Sequence, residues 1–272
     1  MARAAVENAC WDMTARINNV ALHKLLGGTH KEIPCGVSIG IQDTPEQLLE
    51  KIRIEVEAGY RRIKIKIKPG WDYDILKLVR QAFPDITLSV DANSAYTLAD
   101  INLLKSLDEF NLLMIEQPLS HDDIVDHAHL QKQIATDICL DEPITSLDKT
   151  RKAIEMKSGR IINLKLGRVG GFSEAIKINN YCDEHNIPVW CGGMLEAGIG
   201  RSHNIAMSTL AGFSLPGDVS ASKRYFREDI IEPPVTVRKD GFIKITQVTG
   251  TGYEPKEEYI ESITVRKEVF RA

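Results

Sequence analysis

The chain has 272 residues, 43% of them hydrophobic, and a formal net charge of −4, so its composition excludes a disordered protein and its acidity argues against nucleic-acid binding. No run of eighteen apolar residues and no signal-peptide pattern occurs, so we expect a cytoplasmic protein without a membrane segment. The five cysteines are scattered without a CxxC pair, which argues against a disulfide framework and a cysteine zinc site.

The first predicted element is one helix over residues 2–26, which ends at Gly27 and Gly28. Beyond it, short β-branched or aliphatic runs start 23 to 28 residues apart, about the length of one strand, one helix and two loops. Helical patterns lie between them, such as the segment that opens at Thr44-Pro45 and ends at Gly59. The runs are IPCGVSI from Ile33, RRIKIKI from Arg61, ITLSV from Ile86, NLLMI from Asn111, DICL from Asp137, RIINLK from Arg160, IPVWC from Ile187 and a weaker FSL from Phe213.

Strands that alternate with helices at a fixed spacing indicate parallel strands joined by right-handed crossovers. The chain length suits one closed barrel of about 250 residues, so we predict an α/β barrel domain over residues 1–224. After about residue 225 the pattern changes to two strand-like runs around a Lys239-Asp240-Gly241 turn, followed by a charged tail. Residues 225–272 are therefore predicted to lie outside the repeat.

Four consecutive predicted strands end in a charged residue: Asp91, Glu116, Asp141 and Lys165. Each carboxylate taken alone is more often a helix cap or a first-turn acid. Three carboxylates at neighbouring strand ends, however, would repel one another unless a cation lies between them. Oxygen ligands favour Mg²⁺ or a similar hard ion, and active sites of such barrels lie at these strand ends. The set therefore predicts a metal site.

The second predicted strand alternates basic residues with isoleucines. Alternatives are an amphipathic edge strand with solvated lysines or a basic patch for phosphates. In a barrel, helices cover the outer face, so the lysines would point into the barrel mouth. A lysine beside another lysine and a divalent cation should have a lowered pKa and serve as a general base. The basic residues are Arg62, Lys64, Lys66 and Lys68.

Lys165 is predicted four strands further round the barrel, where it could act as a second base, an acid or a fixed positive charge. Basic groups on either side of a metal that binds a carboxylate indicate one reaction class, removal of the proton α to that carboxylate. A lysine base with Mg²⁺ is a known arrangement for this chemistry in the enolase superfamily.

Motifs along nearly the whole chain, from about residue 2 to about residue 250, resemble that superfamily. The chain is similar to the muconate lactonizing enzyme subgroup, and within it to the o-succinylbenzoate synthases that include N-acylamino acid racemases. The motifs are GYRRIKIKIKPGWD, SVDANSAYTL, LLMIEQPL, ICLDEP, INLKLGRVGG, VWCGGMLEAGIGRSHNIA and FSLPGDVSASKRYFREDI.

The resemblance implies a role for each site residue. Lys66 corresponds to the base, Lys64 to a neighbour that lowers its pKa, and Lys165 to the opposing lysine. The ligands of Mg²⁺, or of another divalent cation such as Mn²⁺, correspond to Asp91, Glu116 and Asp141. Substrate-pocket positions correspond to Ser38, Gly193, Met194 and Glu196, together with Asn93, which supports Asp91 or the second lysine or is simply a turn residue.

The resemblance also implies a TIM-type (β/α)₇β barrel, a small-molecule carboxylate substrate and a homo-oligomer. Family members carry a capping domain before the barrel, and this chain begins at the helix that follows it. We therefore expect residues 225–272 to be a remnant of that cap without its pairing partner. Three hypotheses remain: an o-succinylbenzoate synthase of menaquinone biosynthesis, an N-acylamino acid racemase that uses the same lysines, and an inactive truncated barrel.

Overall fold

A computed structural model describes residues 1–269 of the chain. Its largest sheet has seven parallel strands, which neighbour one another in chain order. Together with the helices between them they form the predicted α/β barrel architecture. The strands of this sheet are β2 (Gly36–Ile39), β3 (Arg62–Lys66), β4 (Leu88–Asp91), β5 (Ile115–Glu116), β6 (Ile138–Leu140), β7 (Ile161–Leu164) and β8 (Val189–Cys191).

Helices follow most of these strands and cover the outer face of the sheet. The isoleucines of β3, Ile63 and Ile65, are buried in one apolar cluster with Leu48 and Ile52 of the preceding helix and Leu76 of the following helix. The alternation of β3 therefore has the predicted sense, with isoleucines outward and lysines inward. The helices are α1 (Ala2–Ile17), α2 (Leu22–Leu25), α3 (Pro45–Glu57), α4 (Tyr73–Ala82), α5 (Ile101–Ser106), α6 (Val125–Gln131), α7 (Leu147–Glu155), α8 (Leu166–Val169), α9 (Phe172–Glu184), α10 (Gly198–Met207) and α11 (Glu257–Ile263).

The eighth position of the barrel is occupied by residues 212–218, which do not form a regular strand. Phe213 makes a parallel bridge with Val189 of β8, and Gly217 makes one with Cys35 just before β2. The segment thus contacts both edges of the seven-stranded sheet and closes the barrel. The predicted strand from Phe213 is wrong as a strand, because Pro216 has no amide hydrogen to donate to a ladder.

The predicted single helix over residues 2–26 is also wrong, because the chain breaks between α1 and α2. Asn19 has φ of 51°, a left-handed conformation that asparagine tolerates better than most residues. The amide of Leu22 donates to Gly250 O at 2.6 Å, and the amide of Gly250 donates to Val20 O at 2.9 Å. Backbone groups of Val20 and Leu22, which a continuous helix would use for its own hydrogen bonds, are therefore bonded to a distant segment.

Two short antiparallel pairs lie beside the barrel. The run from Ile33 splits, because β1 (Glu32–Pro34) pairs with β10 (Phe242–Lys244) and only the residues after Cys35 enter the barrel. A second pair joins β9 (Ile231–Glu232) to β11 (Glu254–Pro255). The C-terminal strands therefore pair within this chain, and their relation to a capping domain stays a prediction.

The C-terminal segment has one strand fewer around its turn than the sequence pattern predicts. Of the two strand-like runs around Lys239-Asp240-Gly241, only the second forms a strand, β10. The first run begins with Pro233 and Pro234, which cannot donate ladder hydrogen bonds. The last residues of the segment, 270–272, lie outside the described residues. Within residues 1–269, no helix combines the length and the apolar character that crossing a membrane would require.

We expect Gly59→Ala to destabilise the protein by about 2 kcal/mol or more. Gly59 follows α3 with φ of +94°, and an added Cβ would lie 2.0 Å from Lys239 O. Gly40→Ala is a matched control, because nothing lies within 4 Å of its added Cβ. Urea unfolding should separate the two variants, and equal stability would contradict the role of Gly59 as the required end of α3.

Candidate active site

Three carboxylates meet at the carboxyl end of the parallel sheet. Asp91 ends β4 and is paired in register with Glu116, which ends β5, and Asp141 follows β6. Their exposures are 2%, 0% and 1%. Because buried carboxylates are unfavourable without compensating charge, the positive groups around them determine what the site can do.

Each carboxylate has a lysine within hydrogen-bond distance. Lys66 Nζ lies 2.6 Å from Asp91 Oδ2, Lys64 Nζ lies 2.6 Å from Glu116 Oε2, and Lys165 Nζ lies 2.6 Å from Asp141 Oδ2. The Lys64 side chain is only 4% exposed, whereas that of Lys66 is 30% exposed. Lys66 is therefore the more accessible of the two β3 lysines.

Lys66 and Lys165 approach the site from different sides. Lys66 ends β3 and Lys165 follows β7, and these strands are four places apart in the sheet. Both lysines line one cavity of about 240 Å³. A small molecule in this cavity would therefore lie between two amines.

The lowered pKa of a lysine base beside a cation stays a prediction, whereas the acids around Lys64 act on the pKa of that lysine in the opposite direction. Burial alone would lower the pKa of this ammonium group, but Asp218, Glu116 and Asp91 outweigh burial and raise it. Burial also opposes the charge of Lys165, whose pKa is nevertheless raised by Asp141 and Glu116. The sequence pattern of β3 indicates a neighbouring lysine, but it does not indicate that the acid Asp218 lies beside Lys64.

The three acids supply oxygen donors, the type that a hard divalent cation prefers. Burial raises the pKa of Glu116 to about 7, and Asp91 and Asp141 act in the same direction although Lys64 opposes them. Asp141 Oδ1 is buried and accepts no well-aligned hydrogen bond, although Arg168 Nη2 lies 3.2 Å from it. A cation among these oxygens would offset the repulsion that Glu116 experiences from the other two acids.

Within residues 1–269, no group of three or more His, Cys, Asp or Glu side chains is arranged as a complete metal site. Each of the three carboxylates is instead paired with an ammonium group. Binding of a cation would therefore require these lysines to give up part of their contact with the acids, since like charges repel at such distances.

The predicted substrate-pocket residues are partly brought together. Ser38, Gly193 and Glu196 line the cavity. Met194 is not part of the lining, and its amide donates to Glu196 Oε2 at 2.9 Å. Asn93 has φ of 41°, its amide donates to Asp91 Oδ1 at 3.0 Å, and its side chain accepts from Lys66 Nζ. Asn93 is thus both a turn residue and a support for the acid and the exposed lysine.

Sequence reasoning missed Asp218, which also lines the cavity. Asp218 ends the segment that closes the barrel, and it contacts Lys64, Arg62 and Ser38. Inspection of the charged residue at the end of each predicted strand identified the other acids. It would also have identified Asp218 if the weak run from Phe213 had been extended through Pro216. Arg201 and Tyr225 line the same cavity and were likewise missed.

Comparison with known proteins agrees with this geometry. Residues 47–259 match the family model described as enolase C-terminal domain-like. An o-succinylbenzoate synthase of Geobacillus kaustophilus is 56% identical over 99% of this chain and 72% of its own length. An N-succinylamino acid racemase of Thermus thermophilus is 48% identical over 97% of this chain and 72% of its own length.

Solved structures agree as well. A crystal structure of an enolase-superfamily member from Listeria innocua superposes with a TM-score of 0.92 at 48% identity, covering 96% of this chain and 70% of that one. The N-succinyl Arg/Lys racemase of Bacillus cereus superposes with a TM-score of 0.92 at 26% identity, covering 99% of this chain and 73% of that one. The resemblance predicted from the motifs is confirmed, and the chain belongs to the enolase superfamily, in its C-terminal domain-like family.

Proposed function

We propose that the protein is an o-succinylbenzoate synthase, which removes water from a cyclic carboxylate precursor in menaquinone biosynthesis. The observation that carries this proposal is the placement of Lys66 and Lys165 on two sides of one cavity, each beside a different buried acid. Relatives named o-succinylbenzoate synthase, at 48 to 56% identity over nearly the whole chain, support it.

In this proposal Lys66 is the general base. Its amine, once it has given up a proton, takes the proton α to the substrate carboxylate, and its partial exposure allows that contact. The electron pair left on the α-carbon then forms the new double bond as the C–O bond to the neighbouring carbon breaks, and the hydroxide takes the proton back from Lys66 and leaves as water. Asn93 and Asp91 hold its Nζ, which limits the positions that the amine can take. Lys165, held by Asp141 at 2.6 Å, remains an ammonium group on the other side and stabilises the negative charge that develops as the proton leaves.

Asp91, Glu116 and Asp141 are the proposed ligands of a divalent cation, for which Mg²⁺ is the best match to three carboxylates. When bound, Mg²⁺ would hold the substrate carboxylate and offset its increasing negative charge. Ser38, Gly193 and Glu196 line the rest of the cavity and are proposed to contact the substrate.

The second candidate function is N-acylamino acid racemase. Two lysines on different sides of one α-carbon are what racemisation requires, because one removes the proton and the other returns one to the opposite face. Racemases of N-succinylamino acids at 45 and 48% identity support this reading. The same residues would serve both reactions.

Two incubations in deuterated water with Mg²⁺ test these functions. A synthase should convert the hydroxylated precursor to o-succinylbenzoate, which is followed by absorbance. A racemase should exchange the α-proton of an N-succinylamino acid and form the other enantiomer, which is followed by proton NMR and chiral chromatography. Absence of turnover with both substrates, in a folded protein that binds the metal, would favour the inactive-barrel hypothesis and contradict the proposal.

A further inference from the structure

Lys64 has carboxylate partners of two kinds. Its Nζ lies 2.6 Å from Glu116 and 3.5 Å from Asp91, which are proposed metal ligands. It also lies 2.9 Å from Asp218, which comes from the segment that closes the barrel. Because the Lys64 side chain is only 4% exposed, water cannot readily replace any of these partners.

Asp218 is held in place independently of Lys64. Its Oδ1 accepts from Arg62 Nη2 at 2.5 Å, and its Oδ2 accepts from Ser38 Oγ at 3.0 Å. Arg62 is completely buried, and its guanidinium carbon lies 4.2 Å from the centre of the Trp190 ring. Lys64 Nζ lies 4.6 Å from the same ring. The carboxylate of Asp218 and the face of Trp190 thus form a cradle for the ammonium group.

An ammonium group and a divalent cation compete for the oxygens of Glu116 and Asp91, since both are positive and both are attracted to the same acids. The cation binds more tightly if another acid retains the ammonium group. Asp218 is placed to do this, because it already contacts Lys64 from outside the set of proposed ligands.

We propose that Asp218 is a positioning residue: it retains the Lys64 ammonium when a divalent cation takes over the oxygens of Glu116 and Asp91, and it thereby raises the affinity of the site for that cation. The proposal rests on the assignment of these two acids as ligands, which is part of the proposed function. It extends that function by naming a residue outside the ligands that controls metal affinity.

The test measures Mn²⁺ dissociation constants without substrate, by titration calorimetry or by electron paramagnetic resonance of free Mn²⁺. In the full chain, Asp218→Asn should weaken Mn²⁺ binding by about 10- to 100-fold, as expected for loss of a residue that supports a metal site. Asp229→Asn is a matched control. Asp229 is also a buried acid, 5% exposed, but it accepts from the amide of Gly198 at the start of α10, so Mn²⁺ affinity should not change.

A double-mutant cycle distinguishes positioning from a structural role. Lys64→Met removes the ammonium group, so Asp218→Asn in that background should leave Mn²⁺ affinity unchanged. Equal weakening with and without Lys64, or no weakening in Asp218→Asn, would overturn the proposal. Circular dichroism checks folding, and Asp218→Ser is the second variant if the asparagine does not fold. It should weaken Mn²⁺ binding similarly, and unchanged affinity would also overturn the proposal.

The outcome for Asp218 can be separated from the outcome for the proposed function. If the unmodified chain binds no Mn²⁺, the assignment of the ligands fails and the Asp218 proposal fails with it. If the unmodified chain binds Mn²⁺ and turns over substrate while Asp218→Asn binds Mn²⁺ equally well, only the role of Asp218 fails.

Discussion

Replacement of Lys66 by alanine is expected to lower kcat for dehydration by about 10⁴-fold, the upper end of the range for loss of a general base. Lys66 is the more exposed of the two β3 lysines that line the cavity. Lys64 is held by Glu116 and Asp218, so it is poorly placed to replace the lost amine. Mn²⁺ binding should not weaken, because the three proposed ligands are unchanged and one ammonium group that competes for Asp91 is removed. Absorbance assays of dehydration and calorimetric titration with Mn²⁺ measure the two quantities.

Lys68→Ala is the matched control for this experiment. Lys68 lies two residues after Lys66 in the same alternating pattern, but it is exposed and lies beyond the end of β3. Its removal should therefore leave kcat unchanged. In the racemase assay, Lys66→Ala should lose proton exchange from one enantiomer and retain exchange from the other through Lys165. Turnover by Lys66→Ala close to that of the unmodified chain would remove Lys66 from the mechanism.

Replacement of Arg62 by methionine is expected to lower the free energy of unfolding by about 3 kcal/mol, because removal of one partner leaves a buried charge poorly compensated. Arg62 is 0% exposed and binds Asp218 at 2.5 Å. This contact links β3 to the segment that closes the barrel, so its loss should weaken the closure. Urea unfolding followed by circular dichroism measures the change.

Arg53→Met removes an exposed ion pair and serves as the control. Arg53 contacts Glu50 and Glu57 on the surface of α3, where such pairs contribute little because water and salt screen them. We expect no measurable change in its unfolding midpoint. A loss of less than about 1 kcal/mol in Arg62→Met would show that the link between Arg62 and Asp218 does not stabilise the closure.

Local pattern was sufficient for much of the barrel. The spacing of apolar runs predicted eight parallel strands, of which seven form the sheet. The alternation in β3 predicted which side chains point inward. Gly59 ends α3 as predicted. These features follow from periodicity and from the backbone preferences of single residues, so they can be read without knowledge of distant contacts.

Other features depend on contacts between distant parts of the chain. The break between α1 and α2 exists because Leu22 and Gly250 pair through their backbones, and the run from Ile33 splits because β1 pairs with β10. A pattern within one segment does not report a partner more than two hundred residues away, so the sequence argument predicted one continuous element in each place.

The proposed site shows the same division. The sequence alone placed Asp91, Glu116, Asp141 and Lys165 at the ends of successive strands. Because parallel strands have their carboxyl ends at one edge of a barrel, it also predicted that these residues meet there. Only the tertiary structure decided that Asp218 joins Lys64, since this acid lies beyond the weak run from Phe213, in a segment that forms no regular strand. The charge on a buried lysine depends on every group around it, and those groups come together only when the ring closes.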